Sequence, residues 1–76
     1  MGDLVAFITK SLVAEPDAVE VRVREEDRAL VVEVRVAPGD MGKVIGRGGR
    51  IARAMRAVVK AAALRSGRRV LLEIMQ

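Results

Sequence analysis

The chain is predicted to fold as a small α+β domain of order α-β-β-α-α-β, a three-stranded mixed sheet covered on one face by three helices. Three observations predict it. Apolar residues recur with helical period near the start of the chain and again in its second half. Two runs between them, and a third at the end, alternate apolar and polar residues as half-buried strands do. Two helical segments separate the second run from the third, a crossover that sets those strands parallel while the first two pair as an antiparallel hairpin. With 76 residues and no internal linker, repeat or low-complexity segment, residues 1–76 are expected to form one domain, which buries only about 60% of the surface of its unfolded chain.

Leu4, Val5, Ile8 and Leu12 define the first helix, with Asp3 as a candidate cap. Glu15-Pro16-Asp17 stops it, because proline disfavours helical geometry in the residue before it. Val19, Val21 and Val23 alternate with Glu20, Arg22 and Arg24, and Leu30, Val32, Val34 and Val36 repeat the pattern. The polar stretch Glu25-Glu26-Asp27-Arg28 between them fits a hairpin loop. Ala37-Pro38-Gly39 ends the second strand, and Asp40 can cap a short helix over Met41 to Ile45. After a glycine-rich turn, Ile51, Met55, Val58, Val59 and Ala62 form the apolar stripe of a longer helix, with Arg53, Arg56 and Lys60 towards its other side and Ser66-Gly67 at its end. Val70, Leu72 and Ile74 alternate with Leu71, Glu73 and Met75 in the final strand.

The turn joining the two central helices reads Val44-Ile45-Gly46-Arg47-Gly48-Gly49-Arg50-Ile51. Its glycines let the main chain approach a ligand without Cβ interference, while Arg47 and Arg50 place permanent positive charge beside it. Such a turn is suited to a phosphate backbone. Charge along the chain points the same way: residues 1–38 carry five Lys or Arg against eight Asp or Glu, whereas residues 39–76 carry nine against only Asp40 and Glu73. The second half is therefore the polyanion-facing half.

Composition removes several other functions. The chain has neither Cys nor His, so disulfide frameworks and the usual zinc and haem ligand sets are absent, and no metal site is expected. The commonest general base is missing too, and Thr9, Ser11 and Ser66 have no base partner, so no catalytic residue is assigned and no enzyme is expected. A dinucleotide fingerprint starting at Gly46 requires glycine where Ile51 stands, and a triphosphate loop requires Gly-Lys-Ser or Gly-Lys-Thr four residues after Gly42 or Gly46. Neither occurs, and no cofactor is implied. No apolar run approaches a membrane span and no basic segment precedes a long apolar run at Met1, so a soluble, cytoplasmic domain is expected. Phe7 is the single aromatic, which argues against nucleic-acid surfaces that depend on stacking platforms.

A strand, a short helix, Val44-Ile45-Gly46-Arg47-Gly48-Gly49-Arg50 and a longer helix, preceded by an additional helix and strand, resemble a type II KH domain over essentially the full length. Asp40-Met41-Gly42-Lys43-Val44-Ile45-Gly46 and Arg50-Ile51-Ala52-Arg53-Ala54-Met55-Arg56 are similar in particular to the small single-domain bacterial KhpA family, as are Glu15-Pro16-Asp17-Ala18-Val19 and Leu71-Leu72-Glu73-Ile74. The resemblance implies binding of single-stranded RNA in a groove between the two central helices and the sheet edge, with the Gly-x-x-Gly loop clamping about four nucleotides of backbone. It puts Gly46 and Gly49 in loop-forming roles and Arg47 and Gly48 at the tip. Arg50, Lys43 and Arg53 then supply charge nearby, and Val44, Ile45 and Ala52 are the candidate apolar floor, Ala52 standing where many KH domains carry a bulkier Ile. The family further implies a role in RNA chaperoning or post-transcriptional regulation, a homodimer, and a heteromeric partner of the KhpB type. Two alternatives stay open from the residues: a KH-fold module for dimerisation or docking, for which Leu71, Met75 and Val31 on the outer sheet face are candidates if exposed, and a binder of single-stranded DNA.

Overall fold

The elements follow the expected order. In the computed structural model, which describes residues 1–76, helix α1 spans Gly2–Leu12, strands β1 and β2 span Glu20–Glu26 and Ala29–Arg35, helices α2 and α3 span Met41–Ile45 and Arg50–Ala63, and strand β3 spans Arg69–Met75. Short 3-10 turns at Pro16–Ala18, Pro38–Asp40, Arg47–Gly49 and Leu64–Ser66 connect them. The sheet order is β1-β2-β3, with β1 and β2 antiparallel and β2 and β3 parallel. No helix is long and apolar enough to cross a membrane.

β2 occupies the centre of the sheet, with buried side chains on both of its faces. Val32 and Val34 point into the core, and Val31, on the other face, is also buried. That corrects the reading of Val31 as a docking candidate: its cross-strand neighbours Arg24 and Leu71 flank it on either side, so a central position buries what alternation alone would expose. Leu71 itself is 45% exposed and Met75 half-buried. At the other edge of the sheet, β1 is more exposed than its valines suggest, with Val23 only about half covered. The strands extend into the polar stretch between them, leaving a two-residue turn at Asp27 and Arg28. Asp27 adopts φ +48, a left-handed geometry that Asp tolerates better than most side chains.

The core is assembled from Val5 of α1, Val32 and Val34 of β2, Val36 just beyond it, Val44 of α2, Met55 and Val59 of α3, and Leu72 of β3. In α3 the buried stripe is Ala52, Met55, Val59 and Ala63, and Val58 and Ala62, expected inside, are exposed. The helix is thus rotated from its expected setting, because two alanines on the inward side let its backbone approach the sheet closely. In α1 the inward residues are Val5 and Thr9, and the Thr9 hydroxyl is buried without a hydrogen-bond partner. Asp3 lies inside the first turn and makes no capping bond, the cap position being Met1; its charge still complements the helix dipole there.

Candidate nucleic-acid interface

The loop between α2 and α3 is held by its own backbone. The Gly46 N–H donates to Gly42 O at 2.9 Å and closes α2; the Gly49 N–H donates to Gly46 O at 3.1 Å, and the Arg50 N–H to Arg47 O. Gly46 has φ +77, and a Cβ there would lie 2.7 Å from Ile51 Cγ1 and 2.9 Å from the Ile51 backbone nitrogen. Backbone angle and space both require glycine at this position. Gly48, by contrast, has φ +64 with open space around it, so the tip faces outward unobstructed. Since the tight turn already engages the Gly49 and Arg50 amides, an anion placed here would meet mainly the arginine side chains and the positive end of α3.

Those arginines are free to act. Arg47 and Arg50 are exposed and neither has a carboxylate within salt-bridge distance. Arg53, one turn further along α3, is engaged: its Nη1 donates to Gly48 O at 2.7 Å, which braces the loop from the helix side. A side chain at Gly49 would crowd the same guanidinium, at 3.3 Å. Arg53 therefore shapes the loop while adding its charge to it.

Lys43 is half-exposed and its Nζ lies 3.4 Å from Asp40 Oδ1. Asp40 takes the cap position of α2 as expected, yet its buried carboxylate makes no capping bond. It reaches across the fold instead, Oδ1 accepting from the Ala14 N–H at 3.1 Å and Oδ2 from the Glu15 N–H at 3.0 Å. The Ala14 amide, opposed by burial and helped by the Glu15 amide and Lys43, holds this carboxyl below the ordinary carboxylate value. One residue thus ties the exit of α1 to the entrance of α2, and turns the only acidic side chain between β2 and β3 inward.

The expected apolar floor divides by depth. Ile45 is half-buried, whereas Val44 and Ala52 are fully packed beneath the surface, so of these three only Ile45 presents apolar area, beside the likewise half-buried Ile51. Further along α3, Arg56 Nε donates to Leu72 O at 3.4 Å, which places the basic flank of the helix against β3, an edge strand of the sheet. The loop, α3 and the β3 edge therefore form one continuous surface. No three His, Cys, Asp or Glu side chains come together as a metal site.

The geometry has counterparts. Residues 2–74 match the family model described as KhpA/KhpB, KH domain. The chain is 55% identical over 74 residues to "RNA-binding protein KhpA" of Caldanaerobacter subterraneus subsp. tengcongensis, covering 97% of this chain and 99% of that protein. It is 50% identical over 74 residues to the protein of the same name from Clostridium acetobutylicum, again covering 97% and 99%. Among solved structures, Era from Aquifex aeolicus superposes with a TM-score of 0.64 at 23% identity, covering 97% of this chain and 29% of Era, a likeness of fold. On the family match over residues 2–74 and the identity of these relatives over nearly their full length, the chain belongs to the KhpA/KhpB KH-domain family.

Proposed function

We propose that this chain binds single-stranded RNA, without catalysis, by clamping the sugar-phosphate backbone on the Gly46–Gly49 loop. One observation carries the reading: two exposed arginines without acidic partners, Arg47 and Arg50, flank a left-handed glycine turn at the positive end of a helix. Gly46, Gly48 and Gly49 bring the backbone to the ligand, Arg53 braces the turn, Lys43 swings from Asp40 to a neighbouring phosphate, and Ile45 packs against a base, over a floor that Val44 and Ala52 support. The names of the relatives, each called an RNA-binding protein, favour RNA over single-stranded DNA. With about four nucleotides held by one domain, affinity is modest, and the chain works as a homodimer or beside a KhpB-type protein, where avidity strengthens it. Its place is in the cytoplasm, in RNA chaperoning or post-transcriptional regulation.

The test is the double substitution R47D/G48D, which puts two negative charges at the tip. Binding of a fluorescent single-stranded RNA should be lost while the thermal unfolding midpoint falls no further than in Gly48→Asn, since a side chain at Gly48 meets open space and the strain of φ +64 is common to both variants. Gly48→Asn serves as the control for the left-handed backbone, because Asn tolerates that geometry and adds no charge. RNA binding undiminished in R47D/G48D overturns the site; a loss equal to that of Gly48→Asn assigns the effect to backbone shape instead of charge.

A further inference from the structure

The helix that leads into the glycine loop cannot hold its own place. α2 has five residues, and a helix that short has no stability apart from the contacts the fold gives it. Two anchors fix it. Val44, fully buried, joins it to the core, and Asp40, 2% exposed, ties its start. Instead of capping α2, the Asp40 carboxylate gives both oxygens to the amides that follow α1, accepting from the Ala14 N–H at 3.1 Å and the Glu15 N–H at 3.0 Å. No other side chain hydrogen-bonds α2 or its start to another part of the fold.

From this anchor the chain reaches the loop within α2, a length of about 7.5 Å. The Gly46 N–H closes on Gly42 O at 2.9 Å, so a displacement at the start of α2 is passed to Gly46, where the left-handed turn begins. The far side of the loop is held separately, by the bond from Arg53 to Gly48 O. Charge makes the place of Asp40 telling. Its carboxylate lies 3.4 Å from Lys43 Nζ, where it competes with a phosphate for that cation and repels a polyanion. An acid there disfavours RNA by its field and favours it only through what it holds in place.

We infer that Asp40 is a positioning residue of the RNA site: by bonding the Ala14 and Glu15 amides it fixes α2, and with it the Gly46–Gly49 loop, in the pose that receives the strand, without touching the strand. The inference rests on the RNA reading above and adds to it a dependence on the exit of α1, 25 and 26 residues away. A loop ordered before the ligand arrives avoids the cost of ordering it on binding.

The sign of one effect tests this role. Asp40→Asn removes a negative charge from the site, so its field alone tightens RNA binding; as a lost tether it weakens binding, because one amide faces an NH2 group. Ala14→Pro deletes an amide from the other end of the tether and leaves every charge in place. Proline suits the site in one respect, since Val13 before it is already extended, at φ −98 and ψ 159. Measured on fluorescent single-stranded RNA well below each unfolding temperature, both variants should bind about tenfold more weakly, a usual size for coupling to a remote contact, with the salt dependence unchanged. Undiminished binding in either variant overturns the inference. So does a salt dependence shallower by about 0.7 in Asp40→Asn, which assigns the loss to a phosphate contact of Lys43. Amide exchange in the unaltered chain gives a test that needs no variant to fold. The Ala14 and Glu15 amides should exchange more slowly with RNA bound, because a tether that favours binding is favoured by it in return; unchanged exchange at both overturns the inference. If R47D/G48D keeps full binding, the loop reading and this one fall together, whereas loss in R47D/G48D beside full binding in Asp40→Asn and Ala14→Pro removes only the tether.

Discussion

The outer face of the sheet and the glycine-loop surface use the same residue, arginine, in opposite ways. On the sheet, Arg24 lies 3.1 Å from Glu26, 2.8 Å from Glu33 and 3.8 Å from Glu73, and although burial opposes its charge, these three carboxylates raise its pKa above the ordinary guanidinium value. At the loop, Arg47 and Arg50 meet no carboxylate at all. Arginine content alone does not mark a polyanion-binding surface; what marks it is arginine with no acid among its neighbours, and even Arg22 and Arg35 of the sheet face, which form no ion pair, share a concavity with Glu20 and Glu33. Here the difference follows from where the acids lie. Residues 39–76 contain only Asp40 and Glu73; one is turned inward onto Ala14 and Glu15, and the other faces Arg24 across the sheet.

Four substitutions test this contrast. The greatest effect is expected at Gly46, where a side chain collides with Ile51 in a backbone conformation that favours glycine. Gly46→Ala should cost about 3 kcal/mol in chemical denaturation and abolish RNA binding, because the loop that presents Arg47 and Arg50 no longer forms. A stable Gly46→Ala chain that still binds RNA would show that presentation does not depend on this turn.

Asp40→Asn comes next. The folded chain holds this carboxyl below its ordinary value, so its contribution to stability is present above the unfolded pKa of about 3.9 and is lost as the pH falls through the lower folded value. The variant offers an amide where Ala14 or Glu15 needs an acceptor, so it should unfold at a lower temperature at neutral pH. It should also lose less than the unaltered chain as the pH drops below about 4. Parallel pH profiles for the two proteins would remove Asp40 from the account of acid sensitivity.

The smallest effects should be mutually exclusive. Arg50→Ala is expected to weaken RNA binding and make its salt dependence shallower by about 0.7, one phosphate contact, with unchanged stability. Arg24→Ala should leave RNA binding intact and lower stability only slightly, since exposed ion pairs contribute little. Binding isotherms at several salt concentrations, beside thermal melts of both variants, check the pair.

Element types and their order were legible in the sequence because hydrophobic period and proline and glycine punctuation are local signals. The Gly-x-x-Gly turn was legible for the same reason, since contiguous residues build it. The setting of α3 was not: Val58 looks more like a core residue than Ala52 or Ala63, and only the distance between helix and sheet decides that the alanines face inward. Nor was the work of Asp40, whose residue type and position suggested a helix cap while its partners lie 25 and 26 residues away. The bonds from Arg53 to Gly48 O and from Arg56 to Leu72 O were hidden likewise, because side-chain reach to a backbone carbonyl leaves no pattern in the chain.

A mixed α and β domain, a glycine turn between two helices, and an excess of positive charge in the acid-poor second half all follow from residues adjacent in the chain or from composition. Tertiary structure alone decided which arginines remain unpaired, which apolar residues lie under the groove and which beside it, and where the basic flank of α3 runs. Those outcomes depend on distances between residues far apart in the chain, which are set only when helices and sheet pack around a shared core.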